Sequence, residues 1–254
     1  MILYFTGTGN TKYAADVLAE ELNDEIISLN DVMKNNKPLK FQSSQPFVIV
    51  SPIYAWRLPK NIENIIKQAE FSGNNKIYFV VTMGGNSGNA YKYCKKICKN
   101  RGLDYMGFCG VKMPDNYVMA SKMPEKSEAL AKIAAAEPKI RTIAAEIKNG
   151  SEIMRNDKSI LDPLYSGFIN WAFNLFTVNS RSYNVSDACI SCGKCETLCP
   201  TDNIIMKDGK PVFGTKCMSC YACIHLCPKA AINIGKMTQS HGRYVCPEYK
   251  KSEN

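Results

Sequence analysis

The feature that most constrains this chain is a cysteine pattern that occurs twice. Eight of its twelve cysteines fall between positions 189 and 227, as C-I-S-C-G-K-C-E-T-L-C-P and then C-M-S-C-Y-A-C-I-H-L-C-P. An offset of 28 residues lays Cys189, Cys192, Cys195, Cys199 and Pro200 onto Cys217, Cys220, Cys223, Cys227 and Pro228, and Ile204 onto Ile232. Two copies of one small unit follow. Each copy reads C-x2-C-x2-C-x3-C-P. Three cysteines at that spacing lie on short loops that aim their thiolates at one face of an iron–sulfur cubane, whereas the fourth cannot turn back and reaches the other cluster. Cys189, Cys192, Cys195 and Cys227 are thereby assigned to one [4Fe-4S] cluster, and Cys217, Cys220, Cys223 and Cys199 to a second. A pair of zinc sites, each wanting four ligands and often two separated C-x2-C pairs, leaves two full runs ending in Cys-Pro unexplained. Crossed ligation also ties together a segment of about 50 residues, too few for much of a core.

The clustering of cysteines points to metal in a reducing compartment rather than to disulfides, and the expected location is cytoplasmic. Met1 leads straight into the apolar run ILYF without a basic n-region, so no secretory signal is expected. The most apolar late stretch, Ile160 to Val178, is interrupted by Asp162, Pro163, Asn170 and Asn174. It reads as a packing helix, not a membrane span. The formal charge of +9 counts the eight thiols as neutral. Thiolates around two oxidised clusters bring roughly −4 and a bound phosphate about −2, which leaves the loaded chain near about +3. Basic composition therefore does not argue for nucleic acid. An acidic redox protein suits it better.

Residues 1–110 alternate in the manner of a parallel sheet covered by helices. Strand-like runs are ILYF (2–5), EIISL (25–29), FVIVS (47–51), IYFVV (77–81) and YMGFCGV (105–111). Helical patterns lie between them at about 12–23, 59–70 and 87–100. A long amphipathic helix is expected from Glu125 to Lys148, with Pro138 as the point of any bend and Asn149-Gly150 as its stop. Such a doubly wound sheet binds ligands at the carboxyl ends of its strands. Residues 151–182 read as a linker with the apolar helix, whose Trp171, Phe173 and Phe176 are expected to pack between domains. From Lys236 to Asn254 the chain is polar and basic, and it reads as a tail. Cys94, Cys98 and Cys109 read as buried structural thiols. Cys246 reads as an incidental thiol in the tail, His225 as a surface side chain, and His241 carries no signal.

Directly after the first strand come Thr6, Gly7, Thr8, Gly9, Asn10 and Thr11, then a helix. Small residues let backbone N–H groups converge on an oxyanion, hydroxyls add donors, and the helix N-terminus adds positive potential. The run is neither G-x4-G-K-[ST] nor G-x-G-x-x-G. It fits a phosphomonoester held by neutral donors. Two further loops stand at strand ends. Pro52, Ile53, Tyr54, Ala55 and Trp56 follow the third strand, where Tyr54 and Trp56 are suited to flank a flat ring. Met83, Gly84, Gly85, Asn86 and Asn89 follow the fourth, where glycines let backbone approach a ligand edge. Together the three loops make a flavin site. The run from Met113 through Pro114, Asp115 and Asn116 to Tyr117 is a candidate to close over it.

On these residues the chain resembles a fusion of two known modules. Residues 1–150 are similar to a flavodoxin, whose phosphate loop reads Ser or Thr followed by G-T-G-N-T, as Thr6 to Thr11 do here. Residues 183–235 are similar to a bacterial two-cluster ferredoxin. The whole resembles the flavodoxin–ferredoxin fusions, or flavoferredoxins, of anaerobic microbes. The resemblance implies an α/β fold: a flavodoxin-like doubly wound five-stranded parallel sheet, followed by a 151–182 linker, a small α+β two-[4Fe-4S] ferredoxin domain and a 236–254 tail. It implies FMN as cofactor, with Thr6 to Thr11 on its phosphate and the loops at 52–57 and 83–89 on its isoalloxazine. Many short flavodoxins carry a glycine in the third-strand loop; Pro52 to Pro59 has none, so strong stabilisation of a one-electron-reduced flavin is not expected. The expected role is that of an electron-transfer protein between the two clusters and FMN, serving a redox protein partner such as a ferredoxin-like donor or an acceptor reductase. The alternative is an FMN-dependent reductase whose clusters feed the flavin to reduce a small molecule. Whether the chain forms a homodimer is open.

Overall fold

A computed structural model describes residues 1–155, 157 and 159–248. Five apolar runs become the central sheet: β1 (Ile2–Tyr4), β2 (Ile26–Ser28), β4 (Phe47–Pro52), β6 (Lys76–Met83) and β7 (Asp104–Lys112). They lie in the order β2-β1-β4-β6-β7, all parallel. Counted along the chain, that is the 2-1-3-4-5 order of flavodoxin-like sheets. Between the strands run the helices α1 (Asn10–Leu22), α2 (Leu29–Lys34), α3 (Lys60–Gln68) and α4 (Ala90–Arg101), and α5 (Lys126–Lys148) follows the last. Helix α5 continues unbroken through Pro138. Two features had no clear sequence signal, being only three to six residues long: α2, and a separate parallel pair of β3 (Lys40–Gln42) with β5 (Glu70–Ser72).

The sheet is covered on both faces, so its strands bury nearly every side chain. Period-2 alternation divides them. Ile2, Val48, Val50, Tyr78 and Val80 pack toward α1 and α5, while Leu3, Phe47, Ile49, Phe79 and Val81 pack on the other side with α3 and α4. Cys94, Cys98 and Cys109 are buried in these two layers. One register shift in the β6–β7 pair sits beside Gly107, whose φ of 116° no side chain tolerates well. A Cβ there would lie 2.1 Å from the Ile153 carbonyl, because the chain leaving α5 passes alongside β7.

After α5 a helix at 162–177 alternates α and π turns. The cysteine-rich module follows, with two antiparallel pairs: β8 (Tyr183–Val185) with β11 (Ile232–Ile234), and β9 (Ile204–Lys207) with β10 (Lys210–Phe213). Its two copies repeat their backbone. The left-handed positions Ser191, Gly193 and Asp202 recur 28 residues on as Ser219, Tyr221 and Ala230. The module joins the layers on both faces of the sheet: Tyr221, Ile224 and Ile232 enter one, Met218, Cys220 and Ala222 the other. Among the described residues no helix is long and apolar enough to cross a membrane.

Candidate functional site

The turn after β1 is set by its own side chains. The Thr6 N–H donates to Asn30 Oδ1 at 2.9 Å, and Asn30 Nδ2 donates to the Thr6 carbonyl at 2.8 Å. Thr6 Oγ1 accepts the Gly9 N–H at 3.0 Å. Gly9 then caps α1 at φ 100°, a left-handed conformation that favours glycine. Asn10 Nδ2 donates to the Pro114 carbonyl, Asn116 Nδ2 to Thr8 Oγ1, and Thr11 Oγ1 bonds Thr82 Oγ1, each at 2.8 Å. The N–H groups in the first turn of α1 are those a helix leaves without intrahelical partners, and they point the positive end of its dipole into the loop.

Above this turn is a cavity of about 380 Å³. Thr6, Gly7, Thr8, Asn10 and Thr11 line one end; Pro52, Ile53, Tyr54, Ala55 and Trp56 line a wall; Met83, Gly84, Gly85 and Asn86 line another; and Met113 to Tyr117 close a side. Among the lining residues the one carboxylate is Asp115, and there is no Lys, Arg or His. The cavity thus offers a phosphate only neutral donors, and an apolar slot to a flat ring. Two expected contacts fall elsewhere. Gly9 lies under the turn, with its N–H taken by Thr6. Asn89 starts α4 and donates its N–H to Ser166 Oγ at 2.6 Å, outside the lining. Trp56 lines the cavity, but its ring stacks on Tyr165 with centroids 4.5 Å apart, so it does not stand free to cover a ligand.

The wall at 54–57 is a two-residue hairpin. The Tyr54 N–H donates to the Arg57 carbonyl at 2.8 Å, and Ala55 and Trp56 between them have φ of 44° and 64°. Glycine or asparagine normally occupies such positions. The 162–177 helix holds the strained turn. Asn170 Nδ2 donates to the Tyr54 and Ala55 carbonyls at 3.2 and 2.8 Å, and Ser166 Oγ to the Trp56 carbonyl at 2.9 Å. This overturns the expected packing of that helix: Trp171 and Phe176 are 57% and 71% exposed, and of the three aromatics only Phe173 packs inward, against Tyr117.

Beside Thr82 of β6, Ile169, Phe173, Ser219 and Tyr221 complete the lining. None of these four had a sequence signal, since each comes from outside the sheet. Ser219 and Tyr221 belong to the second cysteine run, which lies directly on the phosphate loop. A Cβ on Gly7 would stand 2.3 Å from the Cys220 carbonyl oxygen. The C-terminal segment adds to this contact. The Cys246 N–H donates to the Thr8 carbonyl at 2.8 Å and the Tyr244 hydroxyl to Asn10 Oδ1 at 2.5 Å. Tyr244 and Cys246 are buried, so the segment through Glu248 is no solvated tail; positions 249–254 lie outside the described residues. His225 is buried too. Its Nδ1 accepts the Tyr244 N–H at 3.1 Å, which leaves Nε2 to donate to the Asn116 carbonyl at 3.0 Å. Desolvation holds this imidazole down, to about 4. Burial explains the depressed value, with the nearby Arg243 charge lowering it further, and the Tyr244 N–H fixes the single tautomer. His241 meets the Val118 carbonyl through Nδ1 at 2.6 Å.

The eight cysteines gather around two small cavities. Cys189, Cys192, Cys195 and Cys227 line one, and Cys199, Cys217, Cys220 and Cys223 line the other. Among the described residues no three His, Cys, Asp or Glu side chains converge as a single ion requires. Backbone N–H groups point at sulfur in both: Asn203 to Cys199 at 3.2 Å, Ser219 to Cys217 at 3.4 Å and Ala231 to Cys227 at 3.3 Å. Burial pushes the Cys220 thiol up to about 12 and Cys223 well above its usual value. Such thiols keep their protons unless a metal centre displaces them. The buried Tyr183 hydroxyl makes no hydrogen bond of standard geometry and lies by the Cys217 thiol, at the second cavity. Thiol sets with N–H donors and an orphaned hydroxyl fit iron–sulfur groups, as the neutral cradle fits FMN.

Comparison with known proteins agrees with both. Residues 1–117 match the flavodoxin domain family and residues 181–229 the 4Fe-4S dicluster domain family. No curated protein matches the chain in sequence. Among solved structures, it is similar to the Trp repressor binding protein from Bacillus subtilis (14% identity, 58% of this chain and 97% of that one, TM-score 0.36). It is also similar to two-electron reduced Megasphaera elsdenii flavodoxin (17% identity, 55% and 99%, TM-score 0.32) and to the rubredoxin oxygen:oxidoreductase of Desulfovibrio gigas (16%, 58% and 35%, TM-score 0.31). An FMN module and an iron–sulfur module on one chain make electron transfer its role. The chain is a flavodoxin–ferredoxin fusion.

Proposed function

We propose that this protein passes low-potential electrons between two [4Fe-4S] clusters and FMN on a single chain, and so couples one-electron partners to two-electron partners. A flavin supplies two-electron exchange with one partner and single-electron exchange with another, and each cluster carries one electron. The protein's part is to hold these groups close and to tune them. Thr6, Gly7, Thr8, Asn10 and Thr11 would take the phosphate, with Pro52 to Trp56, Met83 to Asn86 and Met113 to Tyr117 around the ring. Cys189, Cys192, Cys195 and Cys227 would hold one cluster; Cys199, Cys217, Cys220 and Cys223 the other. The observation that carries the proposal is the seat of Cys220 on Gly7, which makes the second cysteine run a wall of the flavin cavity. A redox protein, acidic enough to suit the basic chain, would exchange electrons with the module from outside.

The test is anaerobic rapid mixing of the loaded protein with a one-electron, low-potential reductant, followed at cluster and flavin absorbances. Loaded material is expected to hold about eight irons and one FMN per chain. Flavin bleaching is expected to follow the clusters at a rate independent of protein concentration, as transfer within one chain requires. A rate proportional to protein concentration, or a preparation with two zincs and no flavin, would sink the proposal.

A further inference from the structure

The helix at 162–177 is amphipathic in the reverse of the usual sense. Asp162, Ser166, Asn170 and Asn174 recur every four residues. Because the helix alternates α and π turns, it winds at about four residues per turn, and residues four apart stay on one face. That polar face is turned inward. Asp162 pairs with Arg155 at 2.6 Å, and Ser166 and Asn170 clamp the 54–57 hairpin. Six apolar side chains are left outside: Phe168 is 65% exposed, Trp171 57% and Phe176 71%, with Leu161, Leu164 and Leu175 near half exposed. At these exposures the six side chains present on the order of 800 Å² to solvent, the share a standard interface takes from each partner. A patch of that size exceeds what monomers usually leave open.

The chemistry of the face narrows what covers it. Residues 159–180 contain no Lys, Arg or His, in a chain that carries 32 Lys and Arg elsewhere. A helix lying in a lipid interface sets basic residues along its polar side, and here that side has no basic residue and is turned into the protein. A strongly charged partner finds nothing to pair with. An uncharged apolar stripe is complementary to a copy of itself across a two-fold axis.

We propose that two copies of the chain pair through this face, helix against helix, as a homodimer. Ile169 and Phe173 of the same helix line the flavin cavity, so the pairing braces the cavity from behind.

The mass of the anaerobic, cofactor-loaded protein would be measured by light scattering across about 1–50 µM, the span in which a standard-size interface of modest affinity assembles. Twice the chain mass of 28.3 kDa is expected. The double variant Phe168→Glu with Trp171→Glu is expected to fall to one chain mass while its iron and flavin contents stay unchanged. Should that variant fail to load, Leu164→Gln with Leu175→Gln gives the milder comparison, again with half the mass. A wild-type protein of single-chain mass over the whole range, or loaded variants that remain paired, would overturn the proposal. Flotation with phosphatidylcholine vesicles, with and without phosphatidylserine, provides the rival arm. No flotation is expected; flotation that the variants lose would assign the face to lipid.

Discussion

The two four-thiol sites share one motif and occupy unlike surroundings. The site of Cys199, Cys217, Cys220 and Cys223 is built into the molecule, with Met218, Cys220 and Ala222 in the core under the sheet, and Ser219 and Tyr221 on the flavin cavity. The site of Cys189, Cys192, Cys195 and Cys227 faces outward, with Cys192 exposed and Ile190 55% exposed. Their backbones are alike even where their residues are not. At the second left-handed position within each run, the outer copy has Gly193 at φ 69° and the inner copy Tyr221 at φ 58°. A tyrosine held there costs about 1–2 kcal/mol that glycine does not, and its ring lines the cavity. Motif spacing specifies what is bound; the neighbours separate an inner site beside the cavity from an outer one facing solvent. On the proposed function, electrons would run between the outside, the outer cluster, the inner cluster and the cavity, in that order or its reverse.

The strongest way to break this comparison is to disturb one seat and not the other. Gly7→Ala sets a methyl group 2.3 Å from a backbone oxygen of the inner run, and neither chain segment has a flexible end to yield. The expected loss is about 3 kcal/mol, with flavin lost on desalting. Gly193→Ala in the outer run meets nothing within 4 Å, so its cost is the left-handed strain alone, about 1 kcal/mol. Thermal unfolding of the anaerobic proteins reads both. Equal drops would mean that the inner run does not rest on the phosphate loop as described.

A smaller effect tests what the reversed helix does for the flavin side. Asn170→Ala removes a buried amide that donates to the Tyr54 and Ala55 carbonyls. The expected cost is about 1–3 kcal/mol. Flavin retention should weaken while iron content stays constant, because neither carbonyl touches a thiol site. Parallel loss of iron and flavin would show that the two modules do not respond separately.

The sheet and both cysteine sets were legible because their determinants are local. Apolar runs of four to seven residues mark the buried strands, and C-x2-C-x2-C-x3-C states its own ligand geometry. The phosphate loop was legible for the same reason, from Thr6 to Thr11. What failed to show was the arrangement of modules. Nothing in C-M-S-C-Y-A-C distinguishes Ser219 and Tyr221, on the cavity, from Ser191 and Gly193 of the other copy. His225 looked like a surface residue and the 236–254 segment like a tail, yet Tyr244, His225, Asn116 and Thr8 form one continuous, largely buried chain of hydrogen bonds between the modules. The 162–177 helix misled most directly. Its aromatics suggested a packing face, whereas its asparagines and serine carry the contacts, because the partner surface there is a set of backbone carbonyls that need donors.

The 54–57 hairpin allows the finest test, on the flavin side alone. Ala55 stands at φ 44°, and an alanine in that region costs about 1–2 kcal/mol relative to a right-handed one. Ala55→Gly removes this strain, and about 0.5–1 kcal/mol of the gain is offset by the greater freedom of glycine in the unfolded chain. A net stabilisation of about 0.5 kcal/mol is expected, seen as a slightly raised unfolding temperature. The same change should weaken FMN retention, because glycine opens turn conformations beyond the one that Asn170 and Ser166 hold, and part of the ordering falls to the ligand. Stability and retention moving in opposite directions would locate the strain at the cavity wall, where the protein holds it for binding. If both fell together, alanine would be relaxed at this position, and the clamp from the reversed helix would be ordinary packing.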